Sequence, residues 1–279
     1  MRVVFCGVRG STPAPGPEYI RYGGHTPCLA VSHDDSDAPA LILDAGTGIR
    51  AVTELLDGAA FAGAIVLTHL HWDHVQGLPF FTAGDDERAR VQLLLPEQED
   101  GSSAHAVLAR AMSPPHFPMQ PTDLRGAWSF ESLAEGDTDI GGFAVLAREI
   151  PHKGGRTFGY RVSDGRATLT YMPDHRPTAF GSGPDGCGEY HAAALELAND
   201  ADLLVHDGQL LPDELAAEQR FGHASVEYAG RLATHAHARA AAIFHHAPDR
   251  TDDALDEVAR SIAVDHVVTI AAQGETVKL

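Results

Sequence analysis

Four side chains of the type that binds transition metals lie close together in the sequence, at His69, His71, Asp73 and His74. They follow residues 64–68, a short apolar run that predicts a buried strand. A turn after this strand, leading into a helix, would let alternate side chains face two adjacent centres. Because imidazole nitrogen and carboxylate oxygen suit zinc, and also manganese or iron, the motif predicts a metal site at the end of a strand.

Three more ligand-type residues each follow an apolar run farther along the chain: His152, Asp174 and His245. Taken singly, a histidine at a strand end is more often a hydrogen-bonded structural residue. Together with the His-x-His-x-Asp-His motif, their order resembles that of the metallo-β-lactamase superfamily over almost the whole chain. His175 and His246 adjoin two of these positions, and His245 is preferred to His246 because it comes first after its strand.

The resemblance implies two divalent metal ions, with zinc expected and manganese or iron as alternatives. The ligands that it implies are His69, His71 and His152 for the first ion, Asp73, His74 and His245 for the second, and Asp174 as a bridge. Two adjacent dications lower the pKa of a water between them, which provides hydroxide at neutral pH. Asp44 resembles an aspartate that orients a ligand histidine, although a turn or a helix cap explains it equally well. His175 and His246 are assigned supporting or pocket roles beside the ligands.

Further motifs resemble the phosphodiesterase branch of the superfamily, which includes the tRNA-processing endonuclease Z and bacterial cyclic phosphodiesterases. These motifs are residues 7–13, residues 21–26, Trp72 with residues 76–81, and the pair formed by residues 204–207 and 222–225. In that branch a carboxylate orients a histidine that faces the metals, which here assigns Asp207 to orient His223. His223 would contact the scissile phosphate or protonate the leaving alkoxide, and Asp73 is also assigned to the catalytic group.

The expected substrate is a small cyclic or diester phosphate. The tRNA-processing enzymes carry a long basic arm, whereas only about twenty residues separate His152 from Asp174. A net charge of −19 also argues against binding to a nucleic-acid backbone, so tRNA is disfavoured. The candidate substrate-binding residues are Arg9, His25, His116, Phe117 and Lys153. Residues 113–119 are equally well interpreted as a lid or as a proline-stiffened surface loop.

Two other functions use the same residues. A lactonase, or another ester or amide hydrolase, would share the metal site but would depend less on His223. A non-catalytic sensor would hold metal and ligand without turnover, and the complete ligand set argues against it. True β-lactamases are normally exported, and the N-terminal residues lack the long apolar run of an export signal.

The elements that must position these residues are strands alternating with helices. The predicted strands are residues 1–6, 28–33, 40–43, 64–68, 91–95, 143–150, 158–163, 167–172, 202–206, 240–244 and, as the last, 266–270. The predicted helices are one of about ten residues after Gly48 and those at residues 104–112, 189–199, 212–220, 225–237 and 251–263. The resemblance implies an α/β fold, a four-layer αββα sandwich of two mixed sheets flanked by helices. Residues 1–279 are interpreted as a single domain of two similar lobes.

Composition agrees with a folded protein, because 44% of the 279 residues are hydrophobic. The three cysteines, Cys6, Cys28 and Cys187, fit neither a disulfide framework nor a cysteine-based zinc site. Together with the absence of a long apolar run, they favour a reducing cytoplasm and no membrane partner. Members of the phosphodiesterase branch are often homodimers, which leaves a homodimer open for this chain.

Overall fold

The fold was analysed in a computed structural model that describes residues 1–262 and 267–279. Its strands are β1 (Arg2–Gly7), β2 (Cys28–Ser32), β3 (Leu41–Leu43), β4 (Ala62–Val66), β5 (Arg90–Pro96), β6 (Ala127–Leu133), β7 (Gly136–Ile140), β8 (Phe143–Glu149), β9 (Phe158–Ser163), β10 (Thr168–Met172), β11 (Leu203–Asp207), β12 (Ala240–Phe244), β13 (Val267–Ile270) and β14 (Thr276–Lys278). Its α-helices are α1 (Ile49–Leu55), α2 (Trp72–Val75), α3 (Ala104–Ala111), α4 (Ala192–Ala198), α5 (Leu215–Glu218), α6 (Val226–His235) and α7 (Asp252–Ser261).

The strands form two seven-stranded sheets of similar design. The first sheet has the order β14-β1-β2-β3-β4-β5-β6, and the second has the order β13-β12-β11-β10-β9-β8-β7. In the first sheet β3 to β6 run parallel and the remaining strands pair antiparallel. In the second sheet β10 to β13 run parallel, and β7 to β9 continue it antiparallel. Both sheets are therefore mixed, and each has its parallel strands on one side.

The core consists of layers on both faces of the sheets. Apolar side chains from the facing sides of the two sheets, such as Phe5, Tyr160 and Phe244, make one buried cluster between them. The outer face of the first sheet packs against α1, α2 and α3, and that of the second against α4, α6 and α7. Each strand buries alternate residues toward one of these layers, as the two-residue period of a strand requires. The expected αββα sandwich is confirmed.

Three strands were not predicted from the sequence. β6 and β7 are edge strands in which a single residue each is buried and the others are exposed or half-buried, so they lack the apolar runs that mark buried strands. β14 is a three-residue strand that pairs with β1, hence the prediction of residues 266–270 as the last strand is wrong. Residues 263 and 266, the terminal residues of two predicted elements, lie outside the described residues.

Within the described residues, no helix has both the length and the apolar character needed to span a membrane.

Candidate metal centre

The candidate ligands gather at one edge of the two sheets. Asp44 follows β3, His69 follows β4, and Asp174 and His245 follow β10 and β12. Since the carboxyl ends of parallel strands meet at the same edge of a sheet, residues far apart in sequence come together here. The short helix α2 begins directly after His71 and carries Asp73 on its first turn.

The first cluster consists of His69, His71 and His152, whose ligand atoms all lie within 4.8 Å of one another. His152 donates a hydrogen bond from Nδ1 to the carbonyl oxygen of Gly222 at 2.6 Å, which leaves its Nε2 without a proton. That Nε2 lies 3.3 Å from Nδ1 of His71. His69 Nε2 is buried and has no hydrogen-bond partner. Such unpaired nitrogens facing one another are expected where a cation binds.

The second cluster consists of Asp73, His74 and His245, again with ligand atoms within 4.8 Å of one another. The two imidazole Nε2 atoms lie 3.3 Å apart, and Nε2 of His245 lies 3.1 Å from Oδ2 of Asp73. The opposite nitrogens are occupied, since Nδ1 of His74 donates to Asp44 at 2.8 Å and Nδ1 of His245 donates to Gln209 at 2.9 Å. These outer bonds orient both rings toward a common point.

Asp174 lies between the two clusters. Its Oδ2 is 2.9 Å from Nε2 of His74 and 3.3 Å from Nε2 of His245. Its Oδ1 is 3.4 Å from Nε2 of His152, in the other cluster. The carboxylate is buried, and its Oδ2 has no satisfactory hydrogen-bond donor. The set of converging histidine and aspartate donors fits divalent transition-metal ions.

The electrostatics of the centre also favour a bound cation. Burial, together with the charge of His74, holds the pKa of His69 well below its usual range, and burial lowers the pKa of His152 to about 4. Burial opposes ionisation of Asp174, but the surrounding histidines keep the pKa of its carboxyl well below the ordinary value. Burial likewise opposes protonation of His74, yet Asp73 and Asp174 raise its pKa. A divalent ion would replace that proton as the partner of the carboxylates.

Asp207 and His223 form a pair beside these clusters. Nδ1 of His223 donates to Oδ2 of Asp207 at 3.0 Å, and the same oxygen accepts the backbone N–H groups of His175 and Ala224 at 3.0 and 3.2 Å. Burial opposes protonation of His223, but Asp207 raises the pKa of the imidazole above its ordinary value. His223 lines the cleft, so Nε2 is the nitrogen left for a bound ligand.

Gly222 explains why the chain can pass so close to the first cluster. It has φ +94, and a Cβ on this residue would lie 3.0 Å from Nδ1 of His152. Only a glycine combines this conformation with such a close approach at little cost. The position therefore couples the segment bearing His223 to a candidate ligand.

Asp44 contacts the second cluster through His74. This buried carboxylate also accepts the backbone N–H of Thr68 at 2.7 Å and the hydroxyl of Tyr171 at 2.9 Å. Its φ of 60 is the left-handed region, which aspartate and asparagine adopt more readily than most residues. Its contacts are those of a residue that orients a ligand ring.

His175 and His246 lie in different environments from each other. His175 supports Asp207 through its backbone, while its ring contacts His206 at 2.9 Å and His191 at 2.7 Å. The ring of His246 lies 2.8 Å from the carbonyl oxygen of Ala271, and His246 is not among the residues whose ligand atoms converge in either cluster. Burial lowers the pKa of His246 to about 3. Of the two adjacent histidines at the end of β12, it is His245 that the structure turns toward the cleft.

The structure separates the predicted substrate-binding residues. Arg9 is fully buried, and its guanidinium donates to the carbonyl oxygens of Gly23, Ala247 and Arg250 at 2.8 to 3.2 Å. Arg9 therefore holds the backbone together, in contrast to its predicted role as a substrate-binding residue. His25 binds the hydroxyl of Thr47 at 3.1 Å and does not line the cleft.

Lys153 is exposed and also lies outside the cleft lining, whereas His116 and Phe117 line a neighbouring groove of about 470 Å³. The cleft itself has a volume of about 860 Å³. Sequence reasoning missed several of its lining residues, including Ser11, Gln209, Phe221 and Arg250. No residue type or spacing marks these positions, because they come from four separate segments of the chain.

Comparison with known proteins agrees with this geometry. Residues 40–246 match the family model described as the beta-lactamase superfamily domain. A ribonuclease Z of Salinibacter ruber is 26% identical, over 85% of this chain and 84% of its own length. The metallo-β-lactamase fold protein YhfI of Bacillus subtilis superposes with a TM-score of 0.71 at 19% identity, covering 99% of this chain and 98% of its own. A diphosphatase of the PhnP family superposes with a TM-score of 0.67 at 18% identity, covering 100% and 97%. The chain thus belongs to the β-lactamase superfamily of hydrolases and has the metallo-β-lactamase fold.

Proposed function

We propose that this hydrolase is a phosphodiesterase that holds two divalent metal ions, with zinc expected, and cleaves a small cyclic or diester phosphate. The observation that carries the proposal is the position of Asp174, whose two carboxylate oxygens face different histidine clusters. In this proposal His69, His71 and His152 hold one ion, and Asp73, His74 and His245 hold the other. Bound ions would supply an activated water and would neutralise charge on phosphoryl oxygens.

His223 provides a proton donor in this proposal. Its Nδ1 is bound by Asp207, so its Nε2 faces the cleft with a proton when the ring is charged. Because Asp207 raises the pKa of the ring, a charged imidazole is available near neutral pH. It can protonate an alkoxide leaving group, which has a much higher pKa than the imidazole.

The cleft favours a small substrate. Arg250 is the only lysine or arginine among the described residues that line it, and one nitrogen of its guanidinium is already paired with Glu214 at 2.6 Å. A nucleic acid would need several cations along its backbone, and the net charge of −19 opposes one. The names of the ribonuclease Z relative and of the structurally similar diphosphatase agree with phosphoester chemistry.

The test is turnover of bis(p-nitrophenyl) phosphate by the purified protein with added zinc or manganese. We expect cleavage that depends on metal. Because p-nitrophenolate leaves without being protonated, a loss of about 100-fold or more in kcat for His223→Ala is expected only with a diester whose leaving group is an alkoxide, and a small loss with bis(p-nitrophenyl) phosphate. A lactone serves as the second substrate, since its hydrolysis tests ester cleavage at the same candidate metal site. Absence of diester cleavage with every metal, alongside efficient lactone opening, would favour the lactonase.

A further inference from the structure

Trp72 is the most exposed large apolar side chain of the described residues, with 77% of its surface accessible. It lies between the candidate ligands His71 and Asp73, at the first turn of α2. Burying such a ring would be favourable by roughly 2 kcal/mol or more, so leaving it in water beside the metal centre points to a ligand that covers it.

Trp72 forms a wall shared by two cavities. On one side it lines the cleft that contains His152, Asp174 and His223. On the other side it lines the groove of about 470 Å³. We call this second cavity the aromatic groove; its lining residues include Trp72, Leu78, Phe80, Met112, His116 and Phe117. A ligand that binds at the metal centre can therefore continue across the indole into the groove.

The aromatic groove is built for an apolar ring. Phe80 and Phe117 meet edge to face with their ring centroids 6.0 Å apart, and Phe80 remains 58% exposed. Arg110 is the single charged side chain of the described lining, and its guanidinium donates to Ser102 at 2.9 Å. With no carboxylate in its described lining, the groove suits a flat aromatic group better than a sugar.

We propose that the aromatic groove binds an aromatic ring carried by one ester group of the substrate, while the phosphate lies at the metal centre. This inference rests on the proposed phosphodiesterase function and narrows it to diesters with a nucleobase-like substituent. A volume of about 470 Å³ lies within the usual range of small-molecule sites. Stacking on Trp72 would add affinity to that which the metal centre gives the phosphate.

The test is calorimetric binding of two monophosphates, AMP and ribose 5-phosphate, to the zinc-loaded protein. Both carry the same phosphoribosyl group, and only AMP carries a base. We expect AMP to bind about tenfold or more tightly than ribose 5-phosphate, as base stacking on aromatic side chains provides. Trp72→Ala and Phe117→Ala should each remove most of this preference and leave the affinity for ribose 5-phosphate within about threefold.

Phe180→Ala is the matched control, because Phe180 is an aromatic residue of 61% exposure that lines neither cavity. It should bind both ligands like the wild type. Equal affinities of AMP and ribose 5-phosphate in the wild type, or a preference that persists in both groove variants, would overturn the inference. The proposed function fails by a different result: the protein would then show no diester turnover but would still bind AMP more tightly than ribose 5-phosphate.

Sedimentation velocity tests the other occupant of an exposed apolar groove, a second copy of this chain. We expect Trp72→Ala and Phe117→Ala to sediment like the wild type. Dissociation of a dimer by these substitutions, with the preference for AMP unchanged, would show that the groove is a subunit interface and would contradict the proposal.

Discussion

Replacement of Asp44 by asparagine should change which nitrogen of His74 carries the proton. In the wild type the Asp44 carboxylate can only accept, so it holds the proton on Nδ1 of His74 at 2.8 Å and leaves Nε2 free toward Asp174. The amide of an asparagine presents an NH₂ group, and Thr68 already donates to Oδ1 from its backbone at 2.7 Å. The NH₂ group would therefore face His74 and favour the tautomer with its proton on Nε2.

This tautomer opposes metal binding at the second cluster only. Loss of such an orienting partner typically weakens metal affinity by about 10- to 100-fold, equivalent to about 1.4–2.7 kcal/mol. The charge-assisted hydrogen bond from His74 becomes a neutral one of reversed direction and the one from Tyr171 is lost, which should lower the free energy of unfolding by about 2 kcal/mol. The backbone should be preserved, because asparagine tolerates the φ of 60 at this position.

The assay is zinc titration against a competing chelator, read as two binding steps per chain. We expect Asp44→Asn to weaken one step by 10- to 100-fold and to leave the other nearly unchanged. Tyr171→Phe is the control, since it removes one donor to Asp44 without altering the tautomer of His74. Two unchanged binding steps in Asp44→Asn, with a correctly folded protein, would refute the orientation argument.

Three further predictions concern stability. Removal of metal by a chelator should lower the melting temperature in calorimetry by several degrees, and restoration of zinc should reverse this change, because without metal the buried histidines and carboxylates face one another. Equal melting temperatures with and without metal would contradict a metal-bound native state. Arg9→Met should lower the free energy of unfolding by about 3 kcal/mol or more in urea denaturation, since it leaves buried carbonyl oxygens unpaired, while kcat of the folded fraction should stay unchanged. Burial of Asp164 opposes ionisation, but the backbone N–H groups of Ala167 and Arg166 lower the pKa of its carboxyl to about 2. The contribution of this carboxylate to the free energy of unfolding is therefore complete above about pH 4 and is lost as the pH falls through 2. Asp164→Asn should therefore cost about 1 kcal/mol at pH 7 and almost nothing near pH 2 in urea denaturation, whereas Asp139→Asn, at an exposed strand position, should cost little at either pH.

The types and order of the ligand residues were sufficient to reveal the resemblance to the metallo-β-lactamase superfamily, which implied the fold and the side chains that converge. A cluster such as His69 to His74 is informative by itself, because ligand residues this dense need no distant partner to be recognised. The buried parallel strands were also predictable, since each is a short apolar run that ends at a polar residue. The edge strands β6 and β14 were not, because their pairing is set by distant neighbours and not by their own composition.

The directions in which side chains point were decided only by the tertiary structure. His245 and His246 are adjacent and equally buried, yet one faces Asp174 and the other faces Ala271. The chain leaves β12 at His245, whose φ of 59 lies in the left-handed region, and this turn of the backbone separates the directions of the two rings. Arg9 has the sequence context of a pocket residue, but the carbonyl oxygens that bind it come from segments more than two hundred residues away as well as from nearby Gly23. The aromatic groove likewise joins α2 to residues 108–117. Contacts of this kind depend on packing between remote parts of the chain, for which no local pattern of residues carries a signal.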